Sequence, residues 1–375
     1  MHRLLFDVLN RLFTVTTLSG VALMRLISTV TLVFLLALPL TKSASAERLT
    51  GSLDIYFIDV EGGAATLLVT PEGESILIDS GNPGLNDRDP KRIARVAIEE
   101  AQLKHIDHYV TTHWHRDHYG GILTLTNFIP VKHYWDRGIP EKLEEDADFQ
   151  ERLALYQKVS NGQSKTLVPG DVLPLRASSD PTIPSVIIRV MVSNESFIPS
   201  GTKNKTNRFC EKHQAKQPDP SDNAKSLGVL LSFGDFDFLC LGDLTWNVED
   251  DLVCPENRIG EVDLYMVTHH GLSNSNNPVL VHAVKPTVAV ACNGPHKGAH
   301  PEVINTLRSS DQLEAIYQLH LNLDATIAQN TDKIFIANLM DPGTARYIVK
   351  RVHKSSEHYS LQIENSSSSR RFESK

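Results

Sequence analysis

Thr112-His113-Trp114-His115-Arg116-Asp117-His118 decides the reading of this chain. Three imidazoles and a carboxylate fall within six residues, directly after the apolar segment Ile106–Val110. Side chains alternate along extended backbone, so His113 and His115 leave the chain on the same side. Asp117 and His118 follow where the chain turns, and Tyr119-Gly120-Gly121 lets other backbone pass close by. Donors of this hardness, converging from two directions, suit zinc, with manganese or iron as less selective alternatives.

Four further islands place a polar residue where an apolar strand ends or a helix begins. Ile76-Leu77-Ile78-Asp79 offers a carboxylate beside Gly81, as a ligand or as an acceptor that orients a ligand histidine. Cys240-Leu241-Gly242-Asp243 offers another, placed to bridge two metals or to cap the helix that follows. In Met266-Val267-Thr268-His269-His270-Gly271 the adjacent imidazoles diverge, so one is expected as a ligand and the other against substrate. In Gly298-Ala299-His300-Pro301, His300 is a candidate to touch an anionic group or donate a proton, or simply to cap a helix.

The strand pattern surrounding these islands alternates with helices. Strands are predicted over 53–60, 65–69, 75–78, 106–110, 186–192, 227–233, 236–241, 262–267, 287–291, 315–318, 346–352 and 359–363. Helices are predicted over 91–102, 141–159, 278–284 and 302–308.

In order and spacing, strand-Asp, HxHxDH, strand-Gly-Asp and strand-His resemble the metallo-β-lactamase superfamily over roughly residues 53–320. Asp59-Val60-Glu61-Gly62-Gly63-Ala64-Ala65-Thr66-Leu67, His269-His270-Gly271 and His300-Pro301-Glu302-Val303 resemble most the hydrolase domain of bacterial DNA-uptake competence proteins. The resemblance implies an α/β fold, a four-layer αββα sandwich, with one or two zinc ions at the sheet edge. His113 and His115 would hold one metal; Asp117 and His118 the other. Asp243 would bridge, His269 or His270 would complete the second site, and Asp79 would support the cluster from behind. Asp117, His269, His270 and His300 are the candidate catalytic residues. A metal-bound water that ionises near neutral pH would attack a phosphoryl or carbonyl centre.

The chain departs from the family pattern in lacking an obvious third histidine for the first metal. Between His118 and Asp243 only His133 and His213 occur, the first within a strand-like run and the second in a polar loop. A first site left open, or filled by water or Asp222, would favour a phosphate oxygen. The turn Val60-Glu61-Gly62-Gly63-Ala64 also departs, since the competence branch usually places a Gln and an Asp there.

Compartment is read from the N-terminus. Arg25 precedes the apolar run Val30–Leu40, and Ala44-Ser45-Ala46 has the small-x-small form of a cleavage site. Residues 1–46 therefore read as a signal peptide, 47–365 as the hydrolase domain with a polar insertion at 194–222, and 366–375 as a disordered tail. An uncleaved anchor is the alternative, although the run is short for a span of about 20 residues. Export would place the protein in the periplasm or outside the cell, without a stable membrane span once cleaved. It also makes a disulfide between Cys210 and Cys254 chemically reasonable, while Cys240 and Cys292 lie in apolar runs and read as buried thiols.

The net charge of −8 argues against sequence-blind DNA binding, which wants a basic surface. Three functions remain open: a metallohydrolase of phosphodiesters (nucleic acid or a phosphorylated envelope component), a metallohydrolase of esters, lactones or amides, and a non-catalytic zinc-binding module. Whether Lys203, Lys205, Arg208, Lys212 and Lys216 of the insertion line the metal cleft would separate a polymeric anion from a small neutral substrate.

Overall fold

The computed structural model describes residues 51–201 and 205–375; the segment 1–46 expected to be a signal peptide lies outside them. In spatial order the first sheet runs Ser369–Glu373, His358–Ile363, Ile348–Val352, Leu53–Phe57, Thr66–Val69, Ser75–Ile78, Ile106–Val110, Val131–Asp136 and Lys165–Thr166. Neighbours are antiparallel as far as Ser75–Ile78 and parallel beyond it. The second sheet runs Ile336–Asn338, Ala315–His320, Val288–Ala291, Leu264–Met266, Phe236–Cys240, Gly228–Phe233, Val186–Ser193 and Ser196–Phe197. It is parallel as far as Phe236–Cys240 and antiparallel beyond.

Period-two alternation makes both faces of each sheet apolar. Leu53, Ile55 and Phe57 meet Phe236, Phe238 and Cys240 in the core between the sheets. Tyr56 and Ile58 point outward beneath the helices Arg88–Arg95, Ile122–Leu125 and Phe149–Val159. Leu239 and Leu241 point outward beneath Trp246–Val253, Pro278–Val284 and Pro301–Arg308. The layers are therefore helices, sheet, sheet, helices, the αββα order expected. Pro278–Val284 shows how locally the sequence dictates such a helix. Asn277 caps it by accepting from the Val279 amide, Pro278 fills the first turn, and Leu280, Val281 and Val284 are buried.

The parallel strands matter for function because their carboxyl ends share one edge. Ser75–Ile78 leads to Asp79, Ile106–Val110 to His113, Phe236–Cys240 to Asp243 and Leu264–Met266 to the paired histidines.

Three expectations about elements changed or were settled. The tail is not disordered: Ser369–Glu373 forms the edge strand of the first sheet, paired to His358–Ile363, with Phe372 buried in the inter-sheet core. An edge strand needs only one apolar face, so its outward Ser, Arg and Glu look like a polar tail. The helix expected over 141–159 begins only at Phe149. Upstream, Asp146 accepts from the Asp148 amide and pairs with Arg152, and Glu145 is drawn to His115, so side chains compete with helical backbone bonding. Cys210 and Cys254 are bonded to each other, tying the mostly irregular insertion to the end of the helix Trp246–Val253. Cys240 and Cys292 are buried free thiols.

Candidate metal centre

At the shared edge, four imidazole Nε2 atoms surround one carboxylate oxygen. Asp243 Oδ2 lies 3.2 Å from His118, 3.3 Å from His270, 3.4 Å from His269 and 4.0 Å from His113. Asp117 joins from the next turn, its Oδ2 3.6 Å from His270 Nε2 and 3.8 Å from His118 Nε2. Two groups are close enough to hold a cation: His113, His118 and Asp243, and Asp117, His118 and His270.

The other ring nitrogens settle what these Nε2 atoms are. His118 Nδ1–H donates to Asp79 Oδ2 at 2.7 Å, and His270 Nδ1–H donates to the Cys292 carbonyl at 3.1 Å. The Thr112 hydroxyl spends its hydrogen on Asp79 Oδ2, so it accepts from His113 Nδ1–H at 3.1 Å. The Ser275 hydroxyl gives its hydrogen to the Leu244 carbonyl, so it accepts from His269 Nδ1–H at 3.2 Å. All four Nδ1 atoms are thus protonated, and each Nε2 is left for a cation, be it a proton or a metal.

His113 Nε2 is fully buried and has no hydrogen-bond partner, a cost of about 1–3 kcal/mol for an unsatisfied group. Burial, followed by the proximity of His118, holds its pKa well below the ordinary value. His118 moves the other way: burial opposes its charge, but Asp243, Asp79 and Asp117 outweigh that and push its pKa well up. Burial likewise opposes the charge of Asp243, and His118, His270 and His269 hold its carboxyl well below the carboxylate range. A buried anionic cradle lined by imidazole nitrogens fits a divalent cation on the chemistry of its donors.

His115 is more exposed, and its Nε2–H is directed to Glu145 Oε1 at 3.2 Å. That leaves Nδ1 as its free donor, with the ring 4.8 Å from that of His113.

Backbone strain sets the paired histidines apart. His269 and His270 both adopt positive φ, 54° and 55°, which costs roughly 1–2 kcal/mol per non-glycine residue. The rings consequently diverge, with centroids 6.0 Å apart. Amides of His269, Ala299 and His300 hold this segment through the Gly242, His270 and Gly271 carbonyls. Gly298 permits that close approach, since a Cβ there would fall 2.1 Å from the His270 carbonyl oxygen. His270 joins Asp117 and His118, whereas His269 keeps Nε2 beside Asp243 and 3.4 Å from Asn223 Nδ2.

Other expected residues are not brought in. The His300 ring hydrogen-bonds Ser273 Oγ at 3.4 Å and lines a cleft of about 270 Å³ with His296, Glu302, Asn322 and Asp324. None of the clustered ligands lines that cleft. Asp222 is committed to Arg137 and to the Trp114 amide, and His213 to Asn277 and Asp250, so neither fills the first site. Arg208 and Lys212 lie over Phe209, which stacks on His282 of the helix Pro278–Val284. Of the basic residues in the insertion, Lys216 turns toward the histidine loop, donating to the Ser273 carbonyl at 2.5 Å.

Sequence reasoning missed Lys297, whose Nζ lies 2.5 Å from Asp117 Oδ2. It also missed Asn223 and Glu145, which bond His269 and His115.

Residues 58–195 match the family model of the metallo-beta-lactamase superfamily. The fold is the metallo-beta-lactamase fold. Solved structures match the chain at low identity and low TM-score. A protein from Parabacteroides distasonis ATCC 8503 described as a metal-dependent hydrolase is 16% identical, over 70% of this chain and 92% of its own, with a TM-score of 0.36. Igni18, a metallo hydrolase from Ignicoccus hospitalis KIN4/I, is 15% identical over 70% and 94%, with a TM-score of 0.39. CmlA, a diiron beta-hydroxylase from Streptomyces venezuelae, is 13% identical over 70% of this chain, with a TM-score of 0.39; the match spans 52% of its length. No curated protein matches the chain.

Proposed function

We propose that this chain is an exported, zinc-dependent metallohydrolase that cleaves a phosphodiester. The observation that carries the hydrolase reading is the convergence of Nδ1-protonated imidazoles and two carboxylates on one buried cradle. His113 and His115 would hold one ion, Asp117, His118 and His270 the other, with Asp243 between them. When bound, the ions supply Lewis acidity and bring water within reach of ionisation at neutral pH.

The protein's own residues do the rest. Asp79 fixes the His118 ring and, through Thr112, the His113 ring. His269, with its Nδ1–H committed to Ser275, keeps Nε2 unprotonated beside Asp243, accepting only the long 3.4 Å bond from Asn223 Nδ2. Burial holds its pKa down to about 4, so it is neutral at physiological pH and acts as acceptor. The phosphodiester reading is supported by the absence, among the described residues, of a third histidine in the first group. Export rests on the N-terminal apolar run and small-x-small site, with the Cys210–Cys254 disulfide consistent with an oxidising compartment.

A hydrolysis screen tests this. Purified protein with zinc or manganese is offered bis-p-nitrophenyl phosphate, single-stranded DNA, a lactone and a cephalosporin. Chelator-sensitive cleavage of the phosphodiesters is expected. Cleavage confined to the lactone or cephalosporin would replace the substrate class, and no turnover on any of the four would overturn the enzyme reading.

A further inference from the structure

Lys297 sits in the turn Gly294-Pro295-His296-Lys297-Gly298, which follows the strand Val288–Ala291 of the second sheet. The turn is closed by the Gly294 amide donating to the Lys297 carbonyl at 2.8 Å. Its stem lies across the turn Glu61-Gly62-Gly63 of the first sheet. A Cβ on Gly62, whose φ is +91°, would fall 3.2 Å from both Cβ and Cδ of Lys297. A Cβ on Gly294 would fall 2.8 Å from the Glu61 carbonyl oxygen. The glycines of these two turns are therefore what give this lysine its place.

The ammonium is aimed at the metal cradle. Lys297 Nζ is 2.5 Å from Asp117 Oδ2, the same oxygen that faces His118 and His270. A divalent cation held by those three residues would need that oxygen and would repel the ammonium. The side chain is 39% exposed, so the released ammonium has room to move toward incoming solute. The cationic neighbours on this side are already committed: Arg88 to Glu61 and Asp89, Arg92 to Asp59 and Glu61.

We propose that Lys297 is a specificity-determining residue that occupies Asp117 until the second metal binds and then pairs with a non-bridging oxygen of an anionic substrate. This rests on the metallohydrolase reading for its substrate half. It selects phosphate-type anions over neutral esters at the same centre, because a neutral acyl group offers the ammonium no charge to replace Asp117.

The experiment uses the full mature chain, as wild type, Lys297→Met and Lys297→Arg. Titration with manganese or zinc, without substrate, reads the affinity of the second equivalent. Removing the competing ammonium should tighten it about fivefold in the Met variant and leave it near wild type in Arg. Inorganic phosphate binding to metal-loaded protein is measured by calorimetry. It should weaken about tenfold in Met, the scale of one charge-assisted hydrogen bond, and be retained in Arg. Hydrolysis of bis-p-nitrophenyl phosphate at saturating metal should show a matching rise in KM, reversed in Arg.

Unchanged metal and phosphate affinities in Lys297→Met would overturn the proposal while leaving the hydrolase reading intact. A chain that binds metal and phosphate through Lys297, yet cleaves no ester, would uphold the proposal and overturn the hydrolase reading.

Discussion

Asp79→Asn is the substitution that probes the centre most sharply without touching a ligand. Asp79 accepts three hydrogen bonds: from the Thr112 amide at 2.9 Å, the Thr112 hydroxyl at 2.7 Å and His118 Nδ1–H at 2.7 Å. Its φ is +59°, a conformation that asparagine tolerates nearly as well, so the backbone is spared. The amide, however, has only one acceptor oxygen. With that oxygen on the Thr112 amide, its NH2 meets two donors, and one or both must reverse. If the Thr112 hydroxyl turns to accept, it gives its hydrogen to His113 Nδ1 and moves that ring's proton to Nε2. If His118 Nδ1 accepts instead, its Nε2 becomes the protonated nitrogen. Either way a donor nitrogen is lost from the cradle.

Disturbing such a supporting carboxylate typically weakens metal binding 10–100-fold, or about 1.4–2.7 kcal/mol. Competition with a fluorescent chelator at fixed pH measures it. Thermal unfolding of the metal-free protein, expected to change little beside the loss in affinity, controls for the fold. Metal affinity within twofold of wild type in a normally folded variant would refute the tautomer argument.

Three further outcomes are expected. His270→Ala should lose one metal equivalent by elemental analysis, whereas His269→Ala should keep its metals and lose roughly 10²–10⁴ in turnover; equal metal loss would show that both rings are ligands. Lys350→Met should raise stability by about 1 kcal/mol or more in urea unfolding. Lys350 is fully buried with no hydrogen-bond partner, its Nζ 2.7 Å from the Phe236 ring centroid and near Tyr359, Asp263 and Asp237. Burial depresses its pKa, so the unfolded chain binds the proton more readily and wild-type stability should rise with pH toward the unfolded value of about 10.4. That slope should flatten in the variant, and an unchanged slope would show that Lys350 is not its source. Removing the disulfide with Cys210→Ser and Cys254→Ser, which closes a 44-residue separation, should cost up to about 4 kcal/mol by chain entropy while metal content stays constant; loss of metal would mean that the insertion supports the centre.

Much of this molecule was legible because strand-end residues announce themselves. An apolar run that stops at Asp79, His113, Asp243 or His269 can be read without a structure, and these are the residues that meet. Lys297 was not legible. It stands in a short turn without periodicity, and its role depends on Gly62 from the other sheet leaving room for its stem. Which of His269 and His270 faces Asp117 was equally hidden, because it follows from two consecutive positive-φ residues held by Gly298, 28 residues downstream. His300, with the same strand-to-helix grammar, lies outside the cluster because its ring turns to Ser273. The tail was misread for the opposite reason: Ser369–Glu373 shows one buried side chain, Phe372, and borrows the rest of its order from backbone pairing.

Asp79, His113 and His118 arrive from one sheet, Asp243 and His270 from the other. An ion in that cradle fastens two halves of the chain across the apolar seam between them. Because ligand binding to the folded state alone adds to its stability, the loaded fraction sets how often the seam opens to proteases. Metal-free protein would therefore be cut by proteases sooner than loaded protein, with the protection rising as the cradle fills.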